Sequence, residues 1–257
     1  MMNYHSAKKL MIEIGRRMYE RGLIAGCDGN LSIRLPGGKI LATTSGVSKG
    51  FLTEEELVLV DTEGNLLEPG RKASSEIKMH LFVYKNRSDV EAICHAHPPF
   101  ATGFAVSGMP LNLCVLPEVV STLGAIPLAP YATPSTSEVP ASLSGYIEKG
   151  FAVLLENHGV ITMGKDLLEA YNRMETVEHF ARILFISKQL GSVNVLTGEE
   201  YDKLGQMQKA LGINYSVPEC VTCAAPDKSA SAAGEGEDKN IKAVIESVID
   251  DVLKRGK

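Results

Sequence analysis

The chain has 257 residues, enough to bury one sizeable core. Its 44% hydrophobic and 22% charged content is that of an ordinary globular domain and excludes a disordered or fibrous chain. A net charge of −5, with no basic patch interleaved with aromatics, argues against nucleic acid as a partner. No run approaches the ~18 apolar residues of a membrane span, and the first residues lack a signal-peptide pattern. The expectation is a cytoplasmic protein with no membrane partner.

Ala7, Leu10, Met11, Ile14 and Met18 recur at helical spacing, with Gly22 as the stop. Leu31 to Leu35 alternates, meets Pro36-Gly37-Gly38 and continues as Lys39 to Thr43, a β-hairpin. Thr53 with Glu56 is a capping box opening a short helix, and Leu57 to Val60 is a strand ended by a turn at Glu63-Gly64-Asn65. Ser74 or Ser75 caps a helix through about Lys85, which places Glu76 in its first turn. A strand over 90–95 leads to Pro98-Pro99, where a new helix begins. Then come a strand near 126–129, a helix over 137–149 and a strand over 151–155. Asp166 caps a long helix, 167–190, and a last one covers 199–211. Strands interleaved with helices predict an α/β domain, its sheet covered on both faces. The early hairpin argues against a purely parallel sheet.

Composition changes after Pro218. Residues 224–237 hold no large apolar side chain and read as a flexible linker. The expected division is a core domain at 1–218, a linker at 219–237 and a helix at 238–257. In that helix Ile241, Val244, Ile245, Val248, Ile249, Val252 and Leu253 form one apolar stripe. A short helix of this kind gains stability by docking its stripe. The five cysteines are odd in number and scattered, which favours reduced thiols. Cys220 and Cys223 form a lone C-x-x-C, read as two exposed thiols in the linker.

Two motifs carry chemistry. His95-Ala96-His97 ends one apolar run, and Asn157-His158-Gly159 ends another. Side chains alternate along a strand, so His95 and His97 share a face. A third imidazole from a neighbouring strand end completes an open three-histidine site of the kind zinc uses in catalysis. H-x-H alone is more often a turn. The second histidine motif, with Ser74-Ser75-Glu76 before the pair, shifts the balance to a metal site. His5, His80 and His179 receive no primary role, although His80 stands one helical turn past Glu76 and is open to a supporting one.

With Gly26 to Arg34 and Thr43-Thr44-Ser45-Gly46, these motifs resemble the class II aldolase/adducin family from about Ser6 to Val217. The resemblance implies a mostly antiparallel central sheet and a Zn²⁺ centre held by His95, His97 and His158. It makes Glu76 an acid/base that also ligates the metal. It assigns substrate phosphate to Gly29, Asn30, Ser45, Gly46, Ser74 and Ser75. The implied reaction is retro-aldol cleavage of a phosphorylated ketose, foremost L-fuculose 1-phosphate to dihydroxyacetone phosphate and L-lactaldehyde. Another deoxyketose 1-phosphate such as 5-deoxyribulose 1-phosphate, pentulose-phosphate 4-epimerisation and a non-catalytic adducin-like module are the alternatives. A homotetramer is implied.

The sequence departs from the family pattern in three places. Leu116 and Leu211 stand where such enzymes have tyrosines, and Cys27 replaces a threonine. Glu118, Tyr131 and Tyr215 are open to the lost proton-donor role. The tail, 238–257, resembles the encapsulation peptides of bacterial microcompartment enzymes, which implies shell or cargo proteins as partners and a microcompartment lumen as the destination.

Overall fold

The computed structural model describes residues 3–148, 150–210 and 218–222. The expected tail helix, Leu211, Tyr215 and Cys223 lie outside the described residues. Helix α1 (Tyr4–Glu20) is capped by the Asn3 side chain, which accepts from the Ser6 amide at 2.8 Å. It buries Met11, Ile14 and Met18 completely. Burial of a side chain of that size contributes about 1.5–3 kcal/mol. Strands β1 (Asn30–Leu35) and β2 (Lys39–Thr43) form the expected hairpin, and β3 (Leu57–Val60) pairs outside β2. The Thr53–Glu56 capping box forms, but it opens a single 3₁₀ turn, Glu54–Glu56.

Helix α2 (Ile77–Asn86) precedes β4 (Ala92–Ala96), α3 (Pro99–Val106), α4 (Pro117–Thr122) and β5 (Leu128–Ala129). Helix α5 (Glu138–Leu143) is shorter than the expected 137–149. The chain turns out at Ser144-Gly145, where Gly145 has φ +84°, a left-handed conformation that favours glycine. Strands β6 (Ala152–Leu155) and β7 (Gly159–Gly164) then form a hairpin, followed by α6 (Leu167–Gln189) and α7 (Gly198–Ala210). The Asp166 cap on α6 is present, its carboxylate accepting from the Glu169 amide at 2.8 Å.

The seven strands run β3-β2-β1-β4-β7-β6-β5, and only β5 and β6 are parallel. The fold is therefore α/β with a mostly antiparallel sheet. One core lies between the sheet and α1, α3 and α6; it holds Leu31, Ile33, Cys94, Phe104 and Phe180. The other lies under α2 and α5; it holds Met79, Val83, Ile93, Val139 and Ile161.

The expectation about the cysteines is overturned. Cys114 and Cys220 form a disulfide, where reduced thiols were expected. Val221 pairs beside Leu113, with the Cys114 amide on the Val221 carbonyl at 2.9 Å. That pairing brings the two Cα atoms to 5.4 Å, within the span of a bridge. The chain is thus paired with the domain as far as Val221. Cys27 and Cys94 are free.

Candidate active site

The sheet register builds the site. Asn30 lies opposite His95, and His95 lies opposite Ile161 on the other side. The ends of β1 and β4 and the β6–β7 turn therefore meet at one sheet edge. The turn is Glu156-Asn157-His158, with Asn157 at φ +55°, a conformation asparagine tolerates better than most residues. Gly159 follows because His97 packs against it. An added Cβ there would meet both the Ala96 oxygen and His97 Cδ2 at 2.5 Å. Each residue of the Asn-His-Gly triplet thus has its own physical reason.

The three imidazoles converge. Their ligand nitrogens lie within 4.8 Å of one another, and His95 Nε2 is 3.2 Å from His97 Nε2. Tetrahedral zinc with nitrogens at ~2.0–2.1 Å sets them about 3.3 Å apart, so the pair is spaced for a shared ion. Glu76 spans the other ligands, with Oε1 3.0 Å from His158 Nε2 and Oε2 3.3 Å from His95 Nε2. His95 is fully buried, and its Nδ1 faces the Val160 carbonyl at 2.8 Å. That contact leaves Nε2 free to ligate. Three convergent nitrogens and one adjacent carboxylate fit a divalent metal.

Burial by itself would raise the Glu76 pKa. The imidazoles of His95 and His158 outweigh it and hold the carboxyl well below the usual carboxylate range. Burial, reinforced by His95 and His158, pushes His97 down to about 3, which keeps it a neutral ligand. Burial likewise lowers His80 to about 3, with His95 adding to the effect.

Glu76 occupies the cap position of α2 rather than its first turn, and neither serine caps the helix as expected. The Ser74 amide still pairs with the Thr43 carbonyl at 2.9 Å, so the chain stays extended until Ser74. Its hydroxyl instead accepts from the Glu76 amide at 3.3 Å. The Ser75 amide donates to Ser45 Oγ at 3.0 Å, joining the two serine-bearing loops. The Asn30 side chain donates to Glu76 Oε2 at 2.8 Å, so its amide nitrogen is already engaged. Gly29 adopts φ +68°, and an added Cβ would meet the His95 oxygen at 2.8 Å. Of the expected phosphate residues, Gly29 lies against the His95 backbone, Asn30 and Ser74 bond Glu76, and Ser45 bonds Ser75.

Beyond the supporting place left open for His80, sequence reading gave no role to several neighbours. His80 Nδ1 and the Tyr84 hydroxyl both lie 2.7 Å from Ser32 Oγ, and Arg34 donates to the Tyr84 carbonyl at 2.6 Å. With the Asn30–Glu76 bond this makes a polar ladder between α2 and β1. Lys49 is buried and donates to the Cys27 and Val47 carbonyls at 2.7 and 2.8 Å, tying together the loops that carry Gly29 and Gly46. Asp28 Oδ2 lies 3.3 Å from His97 Nδ1. No spacing rule flags Asp28 or Lys49, because both act through loops that approach only in space. Leu116 and Glu118 line a cavity of about 550 Å³ with Arg21, Glu175 and His179, and none of the three clustered histidines lines it. Tyr131 is exposed.

A three-histidine cluster at one end of a mostly antiparallel sheet, with a carboxylate against it, defines a class of metal-dependent enzyme. Residues 9–185 match the model of the Class II Aldolase and Adducin N-terminal domain. The chain is 37% identical over 201 residues to the 3-oxo-tetronate 4-phosphate decarboxylase of Haemophilus influenzae, covering 77% of this chain and 95% of that one. It is 36% identical over 179 residues to the L-fuculose phosphate aldolase of Methanococcus maripaludis, covering 70% and 96%. A solved L-fuculose 1-phosphate aldolase superposes with a TM-score of 0.75 at 33% identity, over 81% of this chain and 98% of that one. The chain belongs to the class II aldolase and adducin family, and it is a lyase.

Proposed function

We propose that this enzyme is a Zn²⁺-dependent aldolase that cleaves L-fuculose 1-phosphate to dihydroxyacetone phosphate and L-lactaldehyde. The observation that carries the reading is the convergence of His95, His97 and His158 on one point beside Glu76, ringed by the Ser45, Ser74 and Gly29 loops. Metal bound there supplies Lewis acidity that draws electrons from a substrate carbonyl. His95, His97 and His158 hold it, and Glu76 completes the set while substrate is absent.

Cleavage breaks the C3–C4 bond, and its electron pair passes into an enediolate over C2 and C3. The C4 hydroxyl gives its proton to solvent as the aldehyde forms. Glu76 is the group placed to deliver the proton that C3 gains, and to remove it in the reverse condensation. It can carry that proton only after moving out of the cluster, since a bound cation would favour the ionised carboxylate there. Phosphate is assigned to the Gly29-Asn30, Ser45-Gly46 and Ser74-Ser75 loops, with the Gly46 amide and the Ser74 hydroxyl as donors, whereas Asn30 Oδ1 can only accept, from a substrate hydroxyl. Asn30 Oδ1 and Thr44 Oγ1 are buried without a hydrogen-bond partner among the described residues, which suits donation from or to a ligand in this corner.

A second reading has its own support. Decarboxylation of a 3-oxo-tetronate 4-phosphate breaks the same kind of bond and releases CO₂ without a hydroxyl proton to move. Leu116, an apolar residue where a proton donor was expected, suits it, as does the Haemophilus relative. A turnover panel decides between them. Dihydroxyacetone phosphate and lactaldehyde released from L-fuculose 1-phosphate, and abolished by a chelator, support the aldolase. CO₂ release from the tetronate alone replaces it. Interconversion of pentulose phosphates without aldehyde release would make it an epimerase.

The assembly proposed is a homotetramer within a microcompartment lumen, with 238–257 binding shell or cargo proteins through its apolar stripe. Support comes from the sequence pattern and from the reactivity of an aldehyde product, which favours confinement. Deleting 224–257 is expected to leave turnover intact and to abolish co-purification with shells. Entry of the truncated enzyme into shells overturns the targeting role.

A further inference from the structure

Metal ligands are imidazoles of one particular tautomer. A neutral ring carries one N–H and one lone pair, and the partner of one nitrogen decides which nitrogen is left to ligate. At His95 the partner is the Val160 carbonyl, which accepts from Nδ1 and leaves the Nε2 lone pair toward the cluster. His97 needs the same control. Its Nε2 faces His95 Nε2, and its Nδ1 faces Asp28 Oδ2 at 3.3 Å. The approach is an ion-pair distance, and a carboxylate only accepts, so its charge favours the Nδ1–H form.

The Asp28 carboxylate is itself held in place. Its Oδ1 accepts from the Ala25 amide at 2.6 Å, and its own amide donates to the Ala25 carbonyl at 3.1 Å. Lys49 Nζ pins the preceding carbonyl, that of Cys27, at 2.7 Å. Gly29, the next residue, turns the chain through a positive φ directly against the His95 backbone. Both carboxylate oxygens thus have separate tasks. One closes the turn, and the other faces the ligand.

We propose that Asp28 is a positioning residue that fixes the tautomer and orientation of His97 for metal binding. It touches neither substrate nor metal. The proposal rests on the metal reading given above. Partners of this kind, beyond the ligands themselves, are worth roughly 10–100-fold in metal affinity.

The informative variant is Asp28→Asn. The amide oxygen retains the Ala25 bond and so the turn, while the NH₂ group, a donor, is left facing His97 Nδ1. The imidazole must then present a lone pair at Nδ1 and carry its proton on Nε2, where the metal needs a lone pair. Zinc affinity is measured on the full chain by competition with a chromophoric chelator. The tautomer is read on metal-free, ¹⁵N-histidine-labelled protein from the two ring-nitrogen shifts. The wild-type chain is expected to show His97 as Nδ1–H. Asp28→Asn should show a shift toward Nε2–H and a zinc dissociation constant roughly 10–100-fold higher, with unchanged thermal stability. Asp28→Ala should weaken zinc similarly and lose the turn bond as well. If that variant does not fold, Asp28→Asn alone decides. A wild-type His97 protonated on Nε2, or zinc affinity of Asp28→Asn within twofold of wild type, overturns the proposal. Absence of zinc binding by the wild-type chain overturns the metal reading itself, whereas normal zinc binding with an unmoved Asp28→Asn overturns only the role of Asp28.

Discussion

Gly159→Ala is a steric test of the metal centre that leaves every ligand chemically intact. Gly159 is not in the left-handed region, so alanine adopts its backbone without strain. The added methyl carbon would lie 2.5 Å from the Ala96 oxygen and 2.5 Å from His97 Cδ2. Ordinary contact begins near 3.4 Å, so the deficit is about 0.9 Å on each side. The Ala96 oxygen is fixed in the β4–β7 ladder, where Ala96 pairs with Val160, so the His97 ring gives way. Overpacking of this size costs about 1–3 kcal/mol of stability. A displacement of about 1 Å at a ligand is expected to lower turnover by ~10²-fold. Zinc content after dialysis, thermal unfolding and turnover on the cognate phosphate check this together. A Gly159→Ala enzyme with wild-type zinc affinity and rate would refute the claim that this glycine exists to admit His97.

Three further outcomes are expected. Glu76→Gln keeps the Asn30 contact and the fold, retains much of the zinc, and loses roughly 10²-fold or more in turnover; a near-normal rate removes Glu76 from proton transfer. His80 has its pKa pushed down to about 3 from 6.5, so between those values the unfolded chain binds a proton that the folded chain refuses. Stability of the metal-free protein therefore falls as pH drops through that window, with His80 adding about 1.4 kcal/mol per pH unit to the slope. His80→Asn, denatured with urea from pH 7 to pH 4, should show a shallower slope, and an identical slope refutes the assignment. Cys114 and Cys220 close a separation of 106 residues, for which a bridge contributes about 2–4 kcal/mol. Reductant should therefore lower the wild-type Tm to that of Cys220→Ser, which itself should not respond; a Tm indifferent to reductant refutes the bridge.

Most of the fold was legible where pattern and burial coincide. Long periodic segments such as Ala7–Met18 and Leu167–Leu190 announced helices because one face of each is buried. Strand β7 was missed although it is central, pairing with both β4 and β6. Its run Val160-Ile161-Thr162-Met163 follows β6 after a turn of only three residues, so the two strands merge into one apolar stretch in the sequence. Helix α4, six residues opened by Pro117, carries too few turns to show a period. The clustering of the three histidines was readable because strand alternation and strand ends fix where side chains point. Asp28, Lys49 and Ser32 were not, since their roles arise from loop and helix approaches that no local spacing encodes. The disulfide was missed for the same reason, as it depends on the pairing of Val221 beside Leu113.

The ladder between α2 and β1 bears on how this enzyme can change. Four helical residues rise about 6.0 Å, and two strand residues about 6.6–6.8 Å, so the two scales agree over a few rungs and then drift. Glu76, His80 and Tyr84 are thus read off against Asn30, Ser32 and Arg34 like marks on a vernier. One residue inserted within α2 would turn Glu76 about 100° away from its rung, whereas the exposed stretch from Glu68 to Arg71 just upstream lies off the scale. Lengthening that stretch adds little, since each doubling of a loop costs only about 0.6 kcal/mol. Descendants of this chain can therefore gain new loops upstream of α2 while the helix behind Glu76 keeps its length.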